Sequence, residues 1–167
     1  QVAGVLGGTW RSPQTYKPDY VSTDRCRPPY WRAGRSRVAS YRGSESDGYR
    51  RSATVTRITY KNAASAKDTF AAVKTWVQTC RKYSYYGGST EMQAIKAAKV
   101  AKQSVAVREW TCGYEGGTQC DHATAIIART GKRLVETRYS LGNDATTDDP
   151  SFTVNVPKTV KLARLSQ

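Results

Sequence analysis

The sequence predicts an α+β domain, a twisted antiparallel β-sheet with helices packed on one face. Three observations carry that expectation. Trp110 to Tyr139 holds two alternating apolar runs around a Gly-containing turn at 129–132, the pattern of a β-hairpin. Residues 53–61 (ATVTRITYK) alternate and are rich in β-branched side chains, as a strand requires. Directly after them Phe70, Val73, Val77 and Cys80 recur at helical spacing with Trp76 alongside, one apolar stripe for a helix to bury. Strand, helix, hairpin and terminal helix in that order suit an antiparallel sheet with segregated helices.

Taken in order, residues 1–52 read as an irregular basic aromatic segment. Gly7-Gly8, Pro13, Pro18 and Pro28-Pro29 interrupt it, and Trp10, Tyr16, Tyr20 and Tyr30 lie between them. Ser65, with Asp68 three residues on, predicts the start of the helix by a capping-box-like pair, and the helix should run to about Lys82. Residues 83–89 form a turn with three tyrosines. Thr90 to Lys102 suits either a helix, through Met92, Ile95 and Ala98, or an extended segment. Ser104 to Thr111 alternates, with Val105, Val107 and Glu109 on one face and Ala106, Arg108 and Trp110 on the other. Asp149-Pro150 fits a helix start, after which Phe152, Val156, Val160 and Ala163 share a face that Pro157 interrupts.

At 167 residues the chain fits one domain with a sizeable core. No apolar run approaches the roughly 18 residues of a membrane span. No signal peptide is visible, and a start at Gln1 suggests a processed amino terminus.

The cysteines are Cys26, Cys80, Cys112 and Cys120; with no C-x-x-C pair and His122 the sole histidine, a zinc site is disfavoured. Two disulfides in an oxidising, secreted or cell-surface setting are the better reading. Three pairings exist on paper. The glycine-rich loop 113–117 favours Cys112–Cys120, leaving Cys26–Cys80, for about 2.5 and about 4 kcal/mol in the chain-entropy model.

Lys and Arg outnumber Asp and Glu 27 to 13, a formal net charge of +14. Such a balance draws anionic partners: wall polymers, lipid head groups, acidic polysaccharide or nucleic acid. The densest basic stretch offers Arg25, Arg27, Tyr30, Trp31, Arg32, Arg35, Arg37, Tyr41 and Arg42 as a binding surface. Arginine forks grip phosphate or carboxylate, and the rings stack on bases or sugars. Lys96, Lys99 and Lys102 make a second stripe if their stretch is helical. A protein partner on the same surface is the other reading.

Catalytic signals are thin. There is no nucleophile elbow, zinc-protease helix, phosphate loop or dinucleotide fingerprint, so no cofactor and no metal is expected. The competing reading is a small basic secreted hydrolase, a nuclease or toxin. There His122 would act as acid or base with Glu109, Glu115 or Glu136, and Arg108 or Arg138 would hold phosphate. Arg108 and Glu136 would share a sheet face with the substrate.

The block ITYKNAASAKDTFAAVKTWVQTC, with Ala66, Phe70, Trp76 and Cys80, resembles the extracellular sensor domain of PknH-type receptor kinases and related actinobacterial secreted or lipoprotein domains. CDHATAIIARTGKRLVETRY is similar to their second shared stretch, in which a cysteine begins a strand–turn–strand unit. The family's last cysteine has no counterpart near Tyr139, and Cys112 is additional, so a second bridge must be wired differently. The resemblance implies an extracytoplasmic, non-enzymatic domain with a concave ligand-binding face.

Overall fold

The computed structural model describes residues 9–10, 14–16, 35–44, 50–85, 88–97, 99–112, 120–142 and 151–166. They build nine strands and two helices. The strands are β1 Thr9–Trp10, β2 Gln14–Tyr16, β3 Arg35–Ser44, β4 Arg50–Thr59, β5 Lys82–Tyr85, β6 Gly88–Ile95, β7 Gln103–Cys112, β8 Cys120–Thr130 and β9 Arg133–Gly142. Helix α1 spans Ala63–Thr79 and α2 spans Ser151–Leu165.

All strand pairs are antiparallel, in the order β1-β3-β4-β9-β8-β7-β6-β5, with β2 also on β3. The chain runs up to β4, crosses the sheet through α1, and restarts at the far edge with β5. From there it meanders back until β9 docks against β4. The hairpin is tight: Thr130 pairs with Arg133, and Gly131 takes φ 56°, the positive value two-residue hairpin turns demand at their first position.

Helix α1 is capped by Asn62, not Ser65. The Asn62 Oδ1 accepts from the Ser65 backbone N–H at 2.8 Å and from its hydroxyl at 3.0 Å, which satisfies a donor the first turn would otherwise leave open. The helix stops at Cys80, whose N–H still reaches the Trp76 carbonyl at 2.9 Å. Ala66, Phe70, Val73, Trp76 and Val77 are buried, as their spacing predicts. They pack on Ile58, Met92, Val107, Ala125, Ile127 and Leu134 of the sheet. Cys80 belongs to that core and is disulfide-bonded.

Helix α2 packs through Val156, Val160 and Ala163 on Ala106 and Ile126. Neighbours in a strand point to opposite faces, so Ala106 beside Val107 and Ile126 beside Ile127 put the two helices on opposite sides. The expectation of helices on one face is therefore corrected: the sheet is sandwiched between them. Pro157 lies within α2, which continues through it. The last turn is closed by Ser166, whose hydroxyl donates to Leu162 O at 2.8 Å and whose own carbonyl accepts from Arg57 Nη2 at 3.2 Å.

Two further expectations change. Residues 1–52 are not irregular throughout, since β1, β2, β3 and the start of β4 lie there. The ambiguous stretch after Thr90 is extended to Ile95, and Lys96, Lys99 and Lys102 lie outside any helix. Asp149-Pro150 lies outside the described residues.

Candidate functional site

The geometry of the polar residues follows from β8, a central strand with small residues on one side. Ala123 and Ala125 face α1, while His122, Thr124 and Ile126 face α2. The methyl groups leave room above the strand. Glu109 on β7 stands opposite Ala123 and Arg138 on β9 stands opposite Ala125, so the two side chains meet across β8. Arg138 Nη1 donates to Glu109 Oε2 in an ion pair, and Glu109 is 5% exposed. Beside it the Ser52 and Ser140 hydroxyls are 2.5 Å apart, and Thr56 and Glu136 are buried on the same side. This is a polar extension of the α1 face.

On the α2 face, His122 is 2% exposed and stands in register between Trp110 on β7 and Leu141 on β9. In the next row Thr124 stands between half-buried Arg108 and fully buried Tyr139. Lys158 of α2 reaches over the Tyr139 ring, its ammonium 5.9 Å from the centroid, a cation–π contact. The Thr124 and Thr137 hydroxyl oxygens are buried and form no hydrogen bond among the described residues. Glu91, opposite Trp110 on β6, is the acid of the His122 row.

The catalytic constellation drawn from the sequence does not assemble. The structure brings Arg108 and His122 to the α2 face and sends Glu109 and Glu136 to the α1 face, because the strand alternates with period two. Arg138 is engaged by Glu109 and does not stand beside His122. Arg108 and Glu136 do not share a face either. Glu91 does share the histidine's face, but across two strand spacings, roughly 10 Å at the backbone. Glu115 lies outside the described residues. No group of three His, Cys, Asp or Glu side chains suited to a metal occurs among the described residues.

Of the binding residues predicted from sequence, Arg35, Arg37, Tyr41 and Arg42 lie on β3, opposite Thr59, Arg57, Ala53 and Ser52 of β4. Arg25, Arg27, Tyr30, Trp31 and Arg32 lie outside the described residues, as does Cys26. Cys112 and Cys120 stand directly opposite each other at the ends of β7 and β8. Sequence reasoning missed Glu91, Thr124 and the Lys158–Tyr139 contact. The hairpin register that pairs Thr124 with Tyr139 was already implied by the turn at Gly131.

The molecule is an antiparallel α+β sheet domain with one helix on each face and buried polar side chains on both sides of the sheet. Among solved structures the chain is similar to the extracellular domain of PknH from Mycobacterium tuberculosis, with TM-score 0.60 and 13% sequence identity, over 98% of this chain and 90% of that one. A fainter likeness, TM-score 0.47 and 9% identity over 100% of this chain and 97% of the other, is to the Mycobacterium smegmatis ortholog of Rv0999. No protein-family model matches, and no curated protein matches in sequence. The resemblance read from the two sequence blocks is thus matched by the fold.

Proposed function

We propose that this chain is a non-enzymatic, sensor-like recognition module of the extracellular space or cell surface, a single domain that binds an anionic ligand or a protein partner through its basic aromatic segment. The observation that carries the reading is the likeness, over nearly the whole chain, to the extracellular domain of PknH. The separation of His122 from Glu109 and Glu136 onto opposite faces supports recognition over acid–base chemistry. No helix among the described residues is long and apolar enough to cross a membrane.

Two bridges, Cys26–Cys80 and Cys112–Cys120, complete the proposal. Cys80 is disulfide-bonded, and residues directly opposite in an antiparallel pair have Cα atoms about 4.5–5.5 Å apart, inside the span a disulfide needs. Peptide mapping without reductant should recover these two pairs. Binding is tested with a heparin-derived oligosaccharide as the anionic probe. Replacing Arg25, Arg27 and Arg32 by Gln should weaken it by at least about tenfold, since removing one charge-assisted hydrogen bond costs about 1.5–3 kcal/mol. Unchanged affinity removes the proposed surface. RNA cleavage by the parent that disappears in His122→Ala would replace this reading with the hydrolase.

A further inference from the structure

Among the described residues the cations are not spread evenly over the sheet's two sides. Helix α2 contains no acid, and neither do β3, β4 or the connector 96–102. The connector and β4 adjoin the helix, and β3 pairs with β4. The connector packs beside the helix through Ala97 and Val100, and Arg57 of β4 reaches the helix end at Ser166. Lys96, Lys99 and Lys102 are exposed on the connector at the β7 side of α2, Lys161 and Arg164 are exposed on the helix, and Arg57 and Arg133 are exposed on β4 and β9 at its other side. In the strand register Arg37 stands directly opposite Arg57. The acid of this face among the described residues, Glu91, is in the row of His122, away from the helix end that Arg57 holds. On the other side α1 mixes signs, with Lys67 beside Asp68.

One-signed charge gathered at this density raises self-repulsion that an external anion relieves. The shape of the array selects the anion. It spans a helix and both its flanks, and at its edge Leu165 is 52% exposed, the large apolar side chain most open to solvent among the described residues. A broad cationic face with an apolar residue at its rim matches a membrane surface, where each Lys or Arg near anionic head groups contributes and an apolar side chain enters the interface. We infer that the α2 face docks peripherally on an anionic lipid bilayer. The apolar stripe of α2 is already used against the sheet, so docking is electrostatic with Leu165 as its apolar contact, and it weakens steeply as salt rises. The inference goes beyond the recognition reading and does not use residues 25–32.

The test is sedimentation of the intact chain with vesicles of phosphatidylglycerol and phosphatidylcholine against vesicles of phosphatidylcholine alone. The expected result is binding to the anionic vesicles only. Lys161→Gln with Arg164→Gln should lower the partition coefficient about 30-fold, roughly fivefold for each cation removed. Both positions are exposed and Gln is a good helix former, so the fold survives, which circular dichroism checks. Lys67→Gln with Lys74→Gln on α1 removes the same charge from the other side and should change it by less than about twofold. No binding by the parent, or an equal drop in the α1 variant, overturns the inference. Tighter binding to a DNA duplex than to the vesicles at matched phosphate would assign the face to nucleic acid and overturn it as well.

Discussion

The two sides of the sheet divide the work differently. The α1 side holds the larger core, from Ile58 and Leu134 through Phe70 and Trp76, and also hides the carboxylates of Glu109 and Glu136. The α2 side has a smaller apolar cluster, buries an imidazole and two threonine hydroxyls, and shows its cations to solvent. Among the described residues, acids turn inward on the α1 side while cations stay exposed on the α2 side. The lesson is that a net charge of +14 says little until the fold decides which charges are turned inward.

The contrast is broken most severely in the larger core. Phe70→Ala should cost about 3–5 kcal/mol and Val160→Ala under α2 about 2 kcal/mol, read by urea denaturation. Equal costs would mean that the two sides share the stability evenly. Next in size is Tyr60, where burial pushes the phenol up to about 12, partly offset by its bond with Thr69. The protonated form is favoured in the folded state, so this stability is complete below pH 10. It is lost as pH rises from 10 to about 12, a fall of about 2–3 kcal/mol that Tyr60→Phe should flatten.

The buried ion pair is expected to give a similar or smaller figure. Arg138→Met leaves the Glu109 carboxylate without its cation. Because the arginine is 36% exposed, the cost should be about 2 kcal/mol, below that of a fully buried pair. Adding Glu109→Gln should recover part of it, and a double-mutant cycle with no coupling would show the pair to be idle. The smallest effect is expected on the α2 side. Thr124→Val and Thr137→Val remove hydroxyls with no hydrogen bond among the described residues, so each should be neutral or stabilising by up to about 1 kcal/mol. A clear destabilisation would reveal a bound water or ligand there.

Much of this was legible in the sequence. The hairpin, the apolar stripe of α1 and the alternation that separates Glu109 from Arg108 all follow from residue periodicity. Strand β3 did not. RSRVASYRGS has little β-branched content, and it is extended because β4 offers a partner along its whole length. The side on which each helix packs was also hidden, since a stripe shows that a helix buries a face and not which face of the sheet receives it. Asn62 and Ser65 are both good caps by residue type, and only the geometry chooses between them. The catalytic grouping around His122 failed for want of a register. Pairing Cys112 with Cys120 would have supplied it, since that match alone sets Glu109 opposite Ala123.

The position of β9 bears on how the molecule comes to be made. It is the last of the described strands to be synthesised, yet it lies between β4 and β8. Until it arrives, a nascent chain holds two half-sheets whose inner margins are both unzipped and ready to accept any extended peptide. A product cut short before Arg133 would therefore be exposed along two sticky seams, and precipitation, more than loss of a small terminal piece, is the fate its architecture dictates.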